Sequence, residues 1–179
     1  HVITDSDYVR NEVIEHYKIE PERISTVSLG VDSNFNPASD EEKEEFKLRY
    51  GIKSNFILMV GSIEPRKQID KVIDAYISLP ENIKKEYVLV HAGPAGWNNS
   101  SISDQFDKLT ATGELIALGY IDEADLATLY SAATCLVYPS IYEGFGLPIL
   151  EAMASGTPVI TSNLSSMPEV GGQAAMLID

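Results

Sequence analysis

From residue 56 onward the sequence alternates short, continuously apolar runs with segments of helical period, and few folds accommodate that alternation. The runs are "FILMVG" (56–61), "YVLVHA" (87–92), "LIALG" (115–119), "CLVYP" (135–139), "PVITS" (158–162) and "AAMLI" (174–178). Each is brief, uninterrupted and bounded by Gly, Pro or polar residues, as strands buried on both faces are. Between them, Ile69, Val72, Ile73, Tyr76 and Ile77 recur at helical spacing and form one apolar stripe. Segments 102–111 and 123–133 read as two more helices. A further helix opens at Pro148, a residue favoured at the first helical position, and stops near Ser155 before Gly156. Strand-helix-strand order of this kind predicts an α/β domain with a doubly wound parallel sheet.

The first 38 residues have a different pattern. "HVITDSDYVRNEVIEHYKI" offers a short strand, a polar turn and a helix, and "RISTVSLGVD" offers another strand. "SNFNPASD" carries turn residues and reads as a linker. Ser39 with Glu42 then forms a capping-box signature, opening an acidic helix that ends near Gly51.

Composition narrows the function. A net charge of −14, from 27 acids and 13 bases, repels phosphate backbones and anionic lipid headgroups, which argues against nucleic acid or membrane as partners. No apolar run reaches the roughly 20 residues of a membrane-spanning helix. The single Cys135 excludes an internal disulfide and suits a reducing, cytoplasmic setting; in "CLVYP" it reads as a buried structural thiol. With three scattered His and one Cys there is no metal-ligand spacing, and no metal site is expected. His91, at a strand end, reads as a hydrogen-bonded core or rim histidine. The chain opens with His rather than Met, as expected of a piece cut from something longer.

Ligands of open parallel sheets bind beyond the carboxyl ends of the strands, here the loops after 60, 92, 119, 139 and 162. The loop after 139, "SIYEGFGLPILEAMASGTPVI", places Gly144 and Gly146 directly before a helix N-terminus. That arrangement suits an anion, especially a phosphate, although a turn chosen for backbone geometry would look the same. Glu143 precedes the turn and Glu151 is expected in the first turn of the helix, where an acid also has a dipole explanation. Four loop residues span at most ~14 Å and four helical residues add ~6 Å. The two acids therefore suit two parts of one elongated ligand better than an acid/base pair across one bond. "VGSIEPRKQIDKVIDAY" lacks the dinucleotide fingerprint but sets Arg66 and Lys67 at an expected helix start. The dipole disfavours cations there, so either an anion sits between them and the sheet edge or both are solvated surface bases.

These stretches together resemble one family. Glu143-x7-Glu151, followed by "SSMPEVGGQAAMLID", is similar to the nucleotide-sugar domain of retaining GT-B glycosyltransferases of family 4, also called group 1. "VGSIEPRKQIDKVIDAY" resembles that family's phosphate-binding segment and "LIALGYIDEADLATLYSAATCLVYPS" its base-recognition stretch. The resemblance implies a Rossmann-like sheet forming the C-terminal half of a GT-B fold. Residues 1–38 would be the end of an N-terminal acceptor domain with the interdomain crossover, and 39–179 a C-terminally truncated donor domain. It implies that Glu151 binds ribose hydroxyls and Glu143 the transferred hexose. Arg66, Lys67 and the backbone around Gly144, Phe145, Gly146 and Leu147 would hold the diphosphate, with Gly61 and Ser62 against it and Tyr120 and Ile121 reading the base. Glu143, Arg66 and Lys67 would carry the catalytic role.

The wording looks most like bacterial mannosyltransferases of polysaccharide or O-antigen assembly, which implies GDP-mannose as donor, a saccharide or lipid-linked acceptor, and no cofactor or metal. The full-length enzyme would be cytoplasmic, with the inner membrane face as a peripheral location. Gln68 departs from the pattern, which often has Gly there. Most of the acceptor domain and the helical segment beyond Asp179 are missing from the resemblance, so this chain is expected to bind donor without turning over alone. A nucleotide-sugar 2-epimerase of related architecture and a noncatalytic nucleotide-binding module remain alternatives.

Overall fold

A computed structural model describes residues 1–94 and 100–179. The chain first builds a small β-α-β unit: β1 (Val2–Thr4) and β2 (Ile24–Thr26) pair in parallel, joined by α1 (Asp7–Tyr17). Ser6 caps α1 by accepting from the Val9 amide, and the Asp7 and Tyr8 amides donate to the Glu169 carboxylate at 2.9–3.2 Å. Two of the orphan donors of this helix are thus satisfied from across the molecule. The segment read as a linker is anchored as well, since Phe35 packs edge-on against Tyr130.

The main body follows with α2 (Asp40–Arg49), β3 (Asn55–Val60), α3 (Ile69–Ile77), α4 (Glu81–Glu86) and β4 (Tyr87–Ala92). After them come α5 (Ser100–Thr112), β5 (Leu115–Gly119), α6 (Glu123–Ala132) and β6 (Cys135–Tyr138). The chain ends with α7 (Leu147–Ala154), β7 (Val159–Ser162), α8 (Met167–Gly171) and β8 (Met176–Ile178). The six strands β3–β8 form one parallel sheet in the order β5-β4-β3-β6-β7-β8. The Ser39–Glu42 capping box of α2 is formed from both sides.

Period-2 alternation divides β3, β4, β5 and β6 between two cores, whereas the edge strand β8 is exposed along its length. Phe56 and Leu58 of β3 face a cluster that includes Phe46, Leu129, Tyr130, Ile149 and Met167 from α2, α6, α7 and α8. Met59 faces the opposite cluster, with Ile69, Val72, Ile73 and Tyr76 of α3 and Leu109 of α5. Helices on both faces explain why the central strand runs are apolar throughout; the run at 174–178 departs from that expectation, because β8 is the sheet edge and Met176, Leu177 and Ile178 are exposed. The stripe on α3 is narrower than its spacing predicts, because Ile77 remains 44% exposed at the helix end. Cys135 is only half-buried, so it is less enclosed than its apolar run suggests. Among the described residues no helix is long and apolar enough to cross a membrane.

The strand order contains one reversal. Chain growth runs from β3 outward through β4 to β5, then returns to the other side of β3 and proceeds through β6 and β7 to β8. The crevice between β3 and β6 is therefore the switch point at which open α/β sheets accept ligands. It is framed on the β4 side by a close backbone contact. A Cβ on Gly93 would stand 2.2 Å from the Gly61 carbonyl oxygen, the same oxygen that accepts from the buried ring of His91 at 2.8 Å. His91 is thus the hydrogen-bonded core histidine its position suggested. The rest of the loop after 92, at 95–99, lies outside the described residues. We expect Gly93→Ala to lower stability by about 1–3 kcal/mol in chemical denaturation, the range for overpacked interiors. A loss below ~0.5 kcal/mol, the scatter of neutral surface changes, would show that this contact does not constrain the crevice.

Candidate functional site

Two loops leave adjacent strands at the switch point, one after β3 and one after β6. The first begins at Gly61, where φ is +111° and a Cβ would lie 3.2 Å from both Cε and Nζ of Lys67. A residue with a side chain would meet both obstacles, so glycine leaves the path along which Lys67 returns to the sheet edge. Pro65–Lys67 form a single 3-10 turn, and Gln68 then takes a left-handed conformation with φ of +53° before α3 starts at Ile69. This corrects the expected placement of Arg66 and Lys67 in the first turn of a helix. They stand on a separate turn, and Gln68 occupies a conformation that favours the glycine the family often has there.

The second loop is pinned by hydroxyls at the end of β7 and in the chain that follows it. Ser162 donates to the Ser140 carbonyl at 2.5 Å, and Ser165 donates to the Glu143 carbonyl at 2.7 Å while accepting from the Glu143 amide. The Ser166 hydroxyl lies 2.7 Å from the Phe145 carbonyl and 3.0 Å from that of Glu143. From the N-terminal unit, Ser6 donates to the Gly144 carbonyl at 2.6 Å, and a Cβ on Gly144 would come within 3.3 Å of Asp5 Oδ2. Gly146 caps α7 with φ of +112°, a value glycine adopts readily, so Leu147 rather than Pro148 is the first helical residue. The Phe145 side chain is buried, leaving its backbone at the turn.

The loops meet at one atom. Glu143 Oε1 lies 2.6 Å from Arg66 Nη1 and 2.8 Å from Lys67 Nζ, and it accepts from the Tyr138 and Ser140 hydroxyls at 2.8 and 2.9 Å. Burial pushes the Glu143 carboxyl up, but the bonds from Lys67, Arg66 and Tyr138 outweigh it and hold the pKa at about 2. Lys67 is only 8% exposed; its ammonium also donates to the Tyr138 hydroxyl and lies 4.5 Å from that ring's centroid. Arg66 donates further to the Tyr142 carbonyl at 3.1 Å and, through Nε, to Glu64 at 2.9 Å; Glu64 in turn accepts from Ser62. The pair read from sequence as either anion-binding or solvated is therefore a positioned, partly buried cation pair.

Glu151 is placed differently from expectation. It is the fifth residue of α7, one position past the first turn, so the helix dipole does not account for it. Its carboxylate accepts from the Tyr130 hydroxyl at 2.7 Å, and burial raises its pKa more than that bond lowers it. Tyr120 and Ile121 follow β5 at the same sheet end. Ile121 is buried in the core with Tyr130 and Tyr138, whereas Tyr120 is 82% exposed, so the backbone there is the part shared with the sheet edge. Among the described residues no hydrogen bond or ion pair joins Tyr120 or Ile121 to the Glu143 cluster. The structure thus brings Gly61, Ser62, Arg66, Lys67, Glu143, Gly144 and Gly146 to one crevice, with Glu151 held separately one turn behind it. Sequence reasoning missed Glu64, Tyr130, Tyr138 and the Ser165–Ser166 pair. The one usable signal was a tyrosine closing the apolar run "CLVYP", where a strand in the sheet centre meets the crevice.

Residues 40–176 match the family model described as glycosyl transferases group 1. Over 179 residues the chain is 39% identical to the O-antigen chain mannosyltransferase B of Escherichia coli, covering 99% of this chain and 47% of that protein. It is 31% identical over 186 residues to the O-antigen chain mannosyltransferase RfbU of Salmonella typhimurium, covering 100% of this chain and 46% of RfbU. The chain spans about half the length of these relatives. Among solved structures it superposes on WaaG, a glycosyltransferase involved in lipopolysaccharide biosynthesis, with a TM-score of 0.84 and 25% identity, covering 98% of this chain and 48% of WaaG. The C-terminal domain of the group 1 glycosyl transferase LpcC from Francisella tularensis gives a TM-score of 0.69 at 28% identity, covering 84% of this chain and 80% of that domain. With its Rossmann-like sheet corresponding to the C-terminal half of the GT-B architecture, the chain belongs to the group 1 glycosyl transferases.

Proposed function

We propose that the crevice between β3 and β6 binds a nucleoside-diphosphate sugar, and that the protein to which this chain belongs transfers its hexose with retention of configuration. The observation that carries this reading is the convergence of Arg66 and Lys67 on one carboxylate at the switch point, beside the glycine-led N-terminus of α7. In this reading the diphosphate lies against Arg66, Lys67, Gly61, Ser62 and the backbone of Gly144, Phe145, Gly146 and Leu147. Glu143 meets the hexose, Glu151 the ribose hydroxyls, and the backbone at Tyr120 and Ile121 the base.

The chemistry suits the charges present. Breaking the bond between the sugar's anomeric carbon and the phosphate oxygen leaves negative charge on a nucleoside diphosphate. Cations and amides already fixed in place stabilise that charge without reorganising as it develops. Glu143 bridges Arg66 and Lys67 through one oxygen and offsets their mutual repulsion. Protein cations facing the departing group are compatible with a reaction that needs no divalent metal or other cofactor, as the family resemblance implies. Both mannosyltransferase relatives act in O-antigen chains by name, which favours GDP-mannose as donor and a saccharide or lipid-linked acceptor held by the remainder of the protein. This chain alone is expected to bind donor but not to transfer sugar.

A thermal-shift panel of GDP, UDP, ADP and their sugar conjugates tests the reading and identifies the base. Ligand at 100 times its dissociation constant adds ~2.7 kcal/mol of stability, and GDP-mannose is expected to be the most effective. No stabilisation by any of them would contradict a donor site. By calorimetric titration, Glu151→Ala should weaken binding about tenfold for nucleotide with or without sugar, the scale of one lost charge-assisted hydrogen bond. Glu143→Ala should instead erase the preference for sugar-linked over free nucleotide. Wild-type affinities in both variants would leave the two acids with structural roles alone.

A further inference from the structure

Two core tyrosines stand behind the two glutamates in matching arrangements. Tyr138 closes β6 and is 3% exposed; Tyr130, in α6, is fully buried. The Tyr138 hydroxyl donates to Glu143 Oε1 at 2.8 Å and the Tyr130 hydroxyl to Glu151 Oε2 at 2.7 Å. Each tyrosine is also pinned through its main chain by a buried threonine: Thr161 donates to the Tyr138 carbonyl at 2.7 Å, and Thr157 to the Tyr130 carbonyl at 2.6 Å. Both rings pack in the same core as Leu136 and Ile149, and Tyr130 is held further by Phe35. Phenylalanine would fill either space, so the hydroxyl is what tyrosine adds, and each hydroxyl is directed at a carboxylate, Glu143 in the crevice and Glu151 one turn behind it. A phenol has one proton to give, and burying it without an acceptor is costly. Neither ring can therefore follow a carboxylate that swings away.

We propose that Tyr138 and Tyr130 are positioning residues, the first fixing Glu143 against Arg66 and Lys67 and the second fixing Glu151 toward the ligand. Tyr138 serves both partners of its cluster, since its oxygen accepts from Lys67 while its proton goes to Glu143. The orientation of each carboxylate follows from the geometry alone; its consequence for nucleotide binding rests on the donor site proposed above.

Carboxyl NMR titration of the 179-residue chain separates the two. Removing a donor that favours the carboxylate raises that carboxyl's pKa, by roughly one pH unit for one charge-assisted bond. Tyr138→Phe should move the Glu143 midpoint upward and leave Glu151 in place, and Tyr130→Phe should do the converse. A general loss of stability would not produce that reciprocity. Folded variants in which the paired midpoint stays put, or in which both midpoints move together, would overturn the assignment. For whichever of GDP, UDP and ADP stabilises the wild type most, Tyr130→Phe should bind about tenfold more weakly, and Tyr138→Phe should lose the preference for the sugar-linked form. Unchanged affinities in variants whose carboxyls have shifted would overturn the functional half. Should the wild type bind none of these nucleotides, the donor reading fails and the titrations still decide the positioning.

Discussion

Glu143 Oε1 is the atom on which the crevice depends. It receives Arg66 and Lys67 from the loop after β3, and Tyr138 and Ser140 from the end of β6 and its loop. These strands are neighbours only because the sheet order reverses between them. Without that reversal β4 and β5 would stand between the cations and the glycine turn. The carboxylate stays charged because the bonds from Lys67, Arg66 and Tyr138 outweigh the cost of burial. Desolvating such a cluster offsets much of its attraction, so it supplies position more than stability.

The surrounding packing turns one well-held atom into a shaped site. Gly61 leaves room for the Lys67 stem, and Gly93 lets the neighbouring loop approach Gly61. Ser162 at the end of β7, with Ser165 and Ser166 beyond it, holds the carbonyls of the loop that carries Glu143. The N-terminal unit reaches the same turn through Ser6 and closes against α8 through Glu169. Rigid surroundings matter for the proposed reaction, because fixed dipoles and charges lower a barrier only if they need not be reoriented.

The central strands were legible in the sequence because burial on both faces removes polar positions, leaving short apolar runs; β8 gave the same signal although its side chains are exposed at the sheet edge. The α2 cap was legible because Ser39 and Glu42 satisfy each other within one turn. The site was legible in its charged residues and glycines but not in its geometry. Arg66 and Lys67 left the expected helix for a separate 3-10 turn because Lys67 is drawn to Glu143 and Tyr138, residues more than seventy positions away. Glu151 moved out of the first turn of α7 because Gly146, at positive φ, lets the helix begin at Leu147. Tyr130 and Tyr138 were hidden for a related reason: in sequence they are ordinary core residues, and only the fold shows where their hydroxyls end.

In the proposed reading these contacts seat the diphosphate of a sugar nucleotide. That reading is tested most directly by following the backbone and side-chain NMR signals of the isotope-labelled chain during titration with the sugar nucleotide that stabilises it best. Saturable shifts are expected at the amides of Gly61, Phe145, Gly146 and Leu147 and at the Lys67 ammonium. Shifts confined to other surfaces, such as the apolar groove between Val72, Val137 and Ile160, with the Lys67 and Gly146 signals unmoved, would contradict that reading.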